Sequence, residues 1–243
     1  MSILTDLRIA AAGDLHLGED ARGSYRERLK GIEERADVLM LAGDLTRHGT
    51  LEEGRVVADE LRDLPVPAVT VLGNHDYHSD LQHEIAAVLR DAGVIVLDDD
   101  GVVIQCGDSK LGVVGGKGFG GGFAGKCASE FGEREIKDFV GHTRQIADAW
   151  RVALKEMQVD RRVVLSHYSP VKETLEGEPL EIYPFLGSYL LAEAVDTAGA
   201  ELILHGHAHK GSEKGLTPGG IRVRNVALPV LGRAYAVYCL NGG

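Results

Sequence analysis

The chain has 243 residues, 44% of them apolar, with 26 basic against 37 acidic side chains and a net charge of −11. That size and apolar fraction suit one globular domain with a substantial core, and the acidic balance counts against non-specific binding to nucleic acid or to anionic membranes. No run approaches the ~20 apolar residues of a membrane span, the N-terminal "MSILTDLRIAAAGD" has no signal-peptide pattern, and Cys106, Cys127 and Cys239 are odd in number without a CxxC spacing, so reduced thiols and a cytoplasmic location are expected.

In chain order, "LRIAAAGD" reads as a buried strand running into a turn, and "SYRERLKGIEERA" as an amphipathic helix with Leu29 and Ile32 on one face. "DVLMLAGD" is a second buried strand. "TLEEGRVVADELRDL" is a helix whose N-cap is Thr50, with Glu53 three places on. "PAVTVLGNHD" is a third strand, "SDLQHEIAAVLRDAG" a helix and "VIVL" a fourth strand. Continuous apolar strands separated by helices predict a parallel sheet covered on both faces. "GVVIQ" and "KLGVVGG" are short strands, followed by a glycine-rich stretch and then a long helix over "SEFGEREIKDFVGHTRQIADAWRVALKEM". The alternation resumes with "RRVVLSH", a helix near "SYLLAEAVDTAG" and the strand "AELILHGHAH". The tail, "IRVRNVALP" and "GRAYAVYCL", reads as a β-hairpin.

The carboxyl ends of these strands carry the chemistry. They deliver Asp14 and His16 ("GDLH"), Asp44 ("GDLT"), Asn74, His75 and Asp76 ("GNHD"), His167 ("SH"), and His207 and His209 ("GHAH"). In open α/β sheets that edge is where ligands bind. Carboxylate, imidazole and amide donors without thiolates suit divalent Mn, Fe, Zn or Mg. Seven ligands, His75 and Asp76 left aside, exceed the needs of one ion and suit two ions sharing a carboxylate, ~3.5–4 Å apart, as in two-metal hydrolysis at phosphorus. The glycines before Asp14, Asp44, Asn74 and His207 are expected to let the backbone turn sharply toward the ions.

The order D-x-H, GD, GNHD, a lone His and GHxH resembles the calcineurin-like metallophosphoesterase superfamily. The resemblance implies an α/β fold, a four-layer α-β-β-α sandwich of two mixed sheets flanked by helices, formed by residues 1–243 as a single domain. It assigns Asp14, His16 and His209 to one metal, Asn74, His167 and His207 to the other, and Asp44 to both. It implies attack on phosphorus by a metal-bridging hydroxide, with His75 contacting the phosphate and protonating the leaving group. Asp76 either orients His75 or caps the helix that follows. Strand parity would put His205 on the same face as His207 and His209; the motif leaves it as a buried, hydrogen-bonded neighbour.

Two phosphate-loop patterns are decoys. "GKGFGG" matches G-x-G-x-x-G but no helix opens from it, and "GGGFAGKC" puts Cys127 where a P-loop needs a hydroxyl. The glycine-rich loop 115–125 and the helix at about 130–157 are candidate covers of the active site, with Arg47, His78 and Lys117 as candidate substrate contacts. "DDD" at Asp98–Asp100 reads as a solvated turn, and Asp138 and His142, one helical turn apart, as a surface pair. "GDLTRHG" lacks the acid of the protein-phosphatase form GDxVDRG and looks more like the bacterial phosphodiesterases of the superfamily. The expectation is a phosphodiesterase acting on a small-molecule phosphoester. Phosphomonoesterase or nuclease activity is the alternative within enzymes, and a non-catalytic protein-interaction module the alternative outside them.

Overall fold

The computed structural model describes residues 6–241. In chain order it contains β1 (Leu7–Ala12), α1 (Ser24–Arg28), β2 (Val38–Ala42), α2 (Leu51–Leu61), β3 (Ala68–Val71), α3 (Gln82–Asp91) and β4 (Ile95–Leu97). There follow β5 (Asp100–Cys106), β6 (Ser109–Gly116), β7 (Gly122–Phe123), β8 (Lys126–Cys127), α4 (Arg134–Glu156) and β9 (Arg161–Ser166). The last third adds α5 (Tyr183–Leu186), α6 (Tyr189–Ala198), β10 (Leu202–His205), β11 (Lys214–Leu216), β12 (Arg222–Asn225), α7 (Leu228–Leu231) and β13 (Ala236–Leu240).

Two mixed sheets result, ordered β13-β1-β2-β3-β4 and β11-β12-β10-β9-β6-β5. β1 to β4 are parallel, with β13 antiparallel on the edge. In the second sheet β12, β10, β9 and β6 are parallel between antiparallel edges. The period of two along each strand sorts side chains into layers. Ala10, Leu39 and Leu41 face Val57, Leu61, Ile85 and Leu89 of α2 and α3. Ile9, Met40 and Val71 meet Val113, Val163 and Leu204 between the sheets. Val114, Val164 and Ile203 face Trp150 and Leu154 of α4 and Leu191 of α6. The protein is therefore a four-layer α-β-β-α sandwich, and one face of the first sheet is covered by the second sheet rather than by helices.

The cap expected for α2 is present as a full capping box between Thr50 and Glu53. Three expectations need correction. The helix expected over residues 24–36 stops at Arg28, because Gly31 takes a left-handed φ of +72° and only a 3₁₀ turn, Ile32–Glu34, follows. The long helix begins at Arg134, after Gly132 at φ +99°. The tail is not a hairpin: β12 pairs with β10 and β11 in the second sheet, whereas β13 pairs with β1 in the first. Pro229 near the start of α7 turns the chain between the two sheets. Among the described residues no helix is long and apolar enough to cross a membrane, and Cys106, Cys127 and Cys239 are free.

What the architecture does for a site is to align strand ends. β1, β2 and β3 point one way, and β9 and β10 end at the same edge of the facing sheet. Just past β12, Val226 accepts from Gly13 N at 2.8 Å and donates to His205 O at 2.7 Å, lacing the two ends together.

Candidate metal centre

The side chains leaving these strand ends converge on one spot. Asp14, His16, Asp44 and His209 each offer a ligand atom, all within 4.8 Å of one another, and Asp44, His167 and His207 form a second such group. Asp44 belongs to both. It is fully buried, as are Asp14 and His167, whereas His16, His207 and His209 are half-buried and open to the surface.

The backbone is bent to make this possible. Asp14, His16, Asp44 and His207 adopt positive φ values of 57°, 46°, 50° and 71°, a conformation costing of order 1 kcal/mol or more for a non-glycine residue. The expectation that the preceding glycines supply the turns is corrected here. Only Gly43, at φ +81°, is left-handed; Gly13, Gly73 and Gly206 are not. Gly73 and Gly206 serve by lacking a Cβ: any side chain there would run into the Asp44 and Asp14 carboxylates.

Hydrogen bonds from the rear fix which ring nitrogen faces the cluster. His167 Nδ1 lies 2.8 Å from the Ala42 carbonyl, which can only accept, so Nδ1 carries the proton. Its Nε2 then meets Asn74 Oδ1 at 2.9 Å and Asp44 Oδ1 at 3.3 Å. Three lone-pair atoms thus face one point, an arrangement that needs a cation, either a second proton or a metal. His207 Nε2 donates to the Phe185 carbonyl at 3.2 Å, which leaves Nδ1 for the cluster, while its amide donates to both Asp14 oxygens at 3.0 Å. His209 Nε2 is 2.8 Å from Asp14 Oδ1 and 3.4 Å from His16 Nε2. His16 Nε2 is 3.9 Å from Asp44 Oδ2.

Electrostatics follow this layout. Burial works against charge on Asp44 and His167, but each stabilises the other. The Asp44 carboxyl is held far below the usual carboxylate range, and His167 is pushed up to about 9. Burial, with the neighbouring His167, drives His207 down to about 3, so its free nitrogen keeps a lone pair at neutral pH. Burial also lowers His16, and the hydrogen bond to Asp14 raises His209. Carboxylate, imidazole and amide donors in two adjoining groups, with no thiolate and with fixed tautomers, fit two divalent cations.

His75 stands at the edge. Its amide donates to Asp44 Oδ1 at 2.8 Å, its Nδ1 donates to the Arg47 carbonyl at 2.8 Å, and its ring lies 4.4 Å from that of His16. Nε2 faces away from that carbonyl. Asp76 neither orients the His75 ring nor caps a helix. It is fully buried and accepts from Leu45 N (3.2 Å), Thr46 N (2.8 Å), Thr46 Oγ1 (2.6 Å) and Gly73 N (2.8 Å), clamping the loop after β2 to the loop after β3. His205 is buried and satisfied: Nδ1 donates to the Gly206 carbonyl at 2.7 Å, and Nε2 is 2.8 Å from Thr174 Oγ1.

Of the candidate substrate contacts, Arg47 and Lys117 have partners within the chain. The Arg47 guanidinium pairs with Asp20 at 3.2 Å. Lys117 Nζ sits among the rings of Phe119, Tyr77 and Tyr168, 4.6, 5.0 and 5.3 Å from their centroids. His78 is exposed on the turn after His75. The glycine-rich stretch packs against the site, with Lys117 O accepting from His167 N and Tyr168 N at 3.1 and 3.0 Å. Asp138 pairs with Arg134 at 2.8 Å, not with His142, whose ring meets Phe119 instead. Asp99 is not part of a solvated turn: it is half-buried and accepts from Trp150 Nε1 at 3.0 Å. Two contributors escaped sequence reasoning. The Tyr168 ring lies against that of His207, centroids 4.3 Å apart and tilted by 37°; Tyr168 directly follows His167, the one cue available. Phe185 contributes a backbone carbonyl, for which residue type gives no cue.

Comparison with known proteins gives a family and a fold. The family model of calcineurin-like phosphoesterases matches residues 7–211. An uncharacterized metallophosphoesterase of Aquifex aeolicus (strain VF5) is 36% identical over 105 residues, 42% of this chain and 40% of that protein, so the match spans less than half of the relative's length. Among solved structures, phosphopantetheinyl hydrolase from Mycobacterium tuberculosis superposes with a TM-score of 0.67 at 15% identity, covering 92% of this chain and 89% of that one. A putative 5'-nucleotidase from Staphylococcus aureus gives 0.59 at 15% identity, covering 91% and 48%. At such identities these likenesses concern the fold.

Proposed function

The chain belongs to the calcineurin-like phosphoesterase family, and from that membership we propose that it is a dinuclear-metal hydrolase of small phosphoesters, with phosphodiesters preferred. The observation that carries the reading is the pair of donor groups sharing Asp44. Asp14, His16 and His209 would hold one ion, Asn74, His167 and His207 the other, and Asp44 both. Bound there, two divalent ions supply Lewis acidity to the phosphoryl oxygens and lower the pKa of a water toward ~7.

The chain's own groups do the rest. The carbonyls of Ala42 and Phe185 lock the tautomers of His167 and His207, so the donor atoms are aligned before any ion arrives. The Arg47 carbonyl holds the proton of His75 on Nδ1, leaving Nε2 to contact the phosphate. Once protonated, Nε2 gives its proton to the departing ester oxygen as the P–O bond breaks and water adds to phosphorus. Asp76, clamping the loops that carry Asp44 and His75, is a positioning residue. The diester preference rests on charge: the Arg47 guanidinium is engaged by Asp20, and Lys117, half-buried against aromatic rings and interacting with Asp44, is the one cation of the two left beside the centre. With Arg47 occupied and a single ammonium left, the surroundings suit a monoanionic diester better than a dianionic monoester.

The test is to purify the full chain, count bound metal, and assay bis-p-nitrophenyl phosphate beside p-nitrophenyl phosphate with added Mn. Two metals per chain and faster cleavage of the diester are expected. Hydrolysis of neither ester, with no metal bound, would overturn the reading in favour of an interaction module.

A further inference from the structure

One side of the centre is walled by aromatic rings that the hydrolytic scheme does not use. Tyr168 lies 4.3 Å from the ring of His207 and 5.6 Å from Phe119; Phe119 is 5.1 Å from Phe139, and Phe139 is 6.4 Å from Phe185. Phe185 closes the circuit, since its carbonyl accepts from His207 Nε2. The run thus begins and ends at a single candidate metal ligand. Only 5% of the chain is aromatic, with five phenylalanines in all, yet Phe119, Phe139 and Phe185 gather here from three separate segments. The outermost, Phe185, is 61% exposed. Apolar surface left open to water beside a binding site gains free energy when a ligand covers it.

We propose that this wall is a subsite for the ester arm that remains on phosphorus, and that this arm is apolar or aromatic. The proposal rests on the phosphodiesterase reading above. Position selects the arm. His75, the proton donor, meets the His16 ring of one donor group edge-on, whereas Tyr168 lies against the His207 ring of the other and Phe185 bonds His207 through its carbonyl. A leaving oxygen at His75 therefore turns the second arm toward the rings. The chemistry follows from the surface: Tyr168 is buried, Phe119 and Phe139 are partly buried and Phe185 offers an exposed ring, while the ammonium of Lys117 lies against Tyr77, Phe119 and Tyr168.

The test uses the Mn-loaded full chain and three diesters with a common p-nitrophenolate leaving group and methyl, butyl or phenyl as the second arm. In the wild type, kcat/KM is expected to rise about tenfold from methyl to phenyl, the scale of one aromatic contact. Phe185→Ala should bring the phenyl-to-methyl ratio close to one. Val103→Ala, which removes a comparably exposed hydrophobe (50%) from β5, should keep the wild-type ratio. Because Phe185 bonds His207 through its backbone, the alanine variant should retain the wild-type metal count, which is measured alongside. No arm preference in the wild type, or the same ratio in Phe185→Ala, overturns the subsite while leaving the hydrolase reading intact. Failure to cleave any of the three diesters, with metal bound, overturns the hydrolase reading and the subsite with it.

Discussion

At the scale of single residues, His75 and Asp76 are neighbours with opposite tasks. His75 has one ring nitrogen tied to the Arg47 carbonyl and the other free, and none of the contacts that join the two donor groups passes through its ring. His75→Ala should therefore keep its full metal content and lose about 10²–10⁴ in kcat, the usual worth of a general acid; elemental analysis and initial rates check both halves, and unchanged turnover removes His75 from the reaction. Asp76→Asn should behave differently. One side-chain amide cannot accept from the four donors that Asp76 now satisfies. A cost of about 2–4 kcal/mol in stability is expected, together with weaker metal binding, although Asp76 faces no metal. Thermal melts and metal titration of the same variant check this. The donor side chains were legible in sequence because their types are restricted and fall just past apolar runs. The carbonyls of Ala42, Arg47 and Phe185 were not legible, because any residue supplies a carbonyl and only the folded chain decides where it points.

At the scale of elements, local patterns were legible and pairings were not. The α2 capping box and the apolar runs of β1 to β3 are written in adjacent residues. That β12 and β13 join different sheets depends on strands far away in sequence, β10 and β1. Asp99 illustrates the same distance dependence. It joins the turn between β4 and β5 to α4 through Trp150, 51 residues on. Burial pushes its carboxyl up to about 6 against the lowering effect of the Trp150 hydrogen bond; Asp98 and Asp100 add to the rise and Lys117 opposes it. A carboxyl raised by folding favours the fold while protonated. That contribution is complete below about pH 4 and is lost as pH climbs through about 6. Asp99→Asn keeps an acceptor for Trp150 and removes the charge. It should be about 1–2 kcal/mol more stable than wild type at pH 7.5, allowing for partial exposure to solvent, and no more stable at pH 4. Melts followed by Trp150 fluorescence, from the single tryptophan of the chain, read this directly; an equal gain at both pH values would show that Asp99 does not titrate in this range.

At the scale of the whole molecule, the two sheets meet in two ways. Between them lies the apolar layer of Met40, Val71, Val163 and Leu204, and at one edge lies the donor cluster. Asp14, Asp44 and Asn74 come from the first sheet, His167, His207 and His209 from the second, so ions bound in the cluster would tie the layers together. Ligands specific to the folded state stabilise it by mass action, by about 2.7 kcal/mol at a hundredfold excess over Kd. For a chain of this length that corresponds to roughly 5–10 °C. A chelator should lower Tm by that amount at pH 8 while leaving far-UV dichroism unchanged at 25 °C, because the apolar layer remains. The effect should shrink at lower pH. Asp44 pushes His167 up to about 9 in the metal-free site, so a proton occupies the point where its Nε2, Asn74 Oδ1 and Asp44 Oδ1 converge. A metal must displace that proton, and each pH unit below about 9 weakens apparent affinity by up to about tenfold per proton released. The chelator-induced shift should therefore be clearly smaller at pH 6 than at pH 8, and calorimetric titration of the metal in buffers of different ionisation enthalpy should report proton release. A shift independent of pH, with no protons released, would mean that this convergence of lone pairs is not where the metal binds.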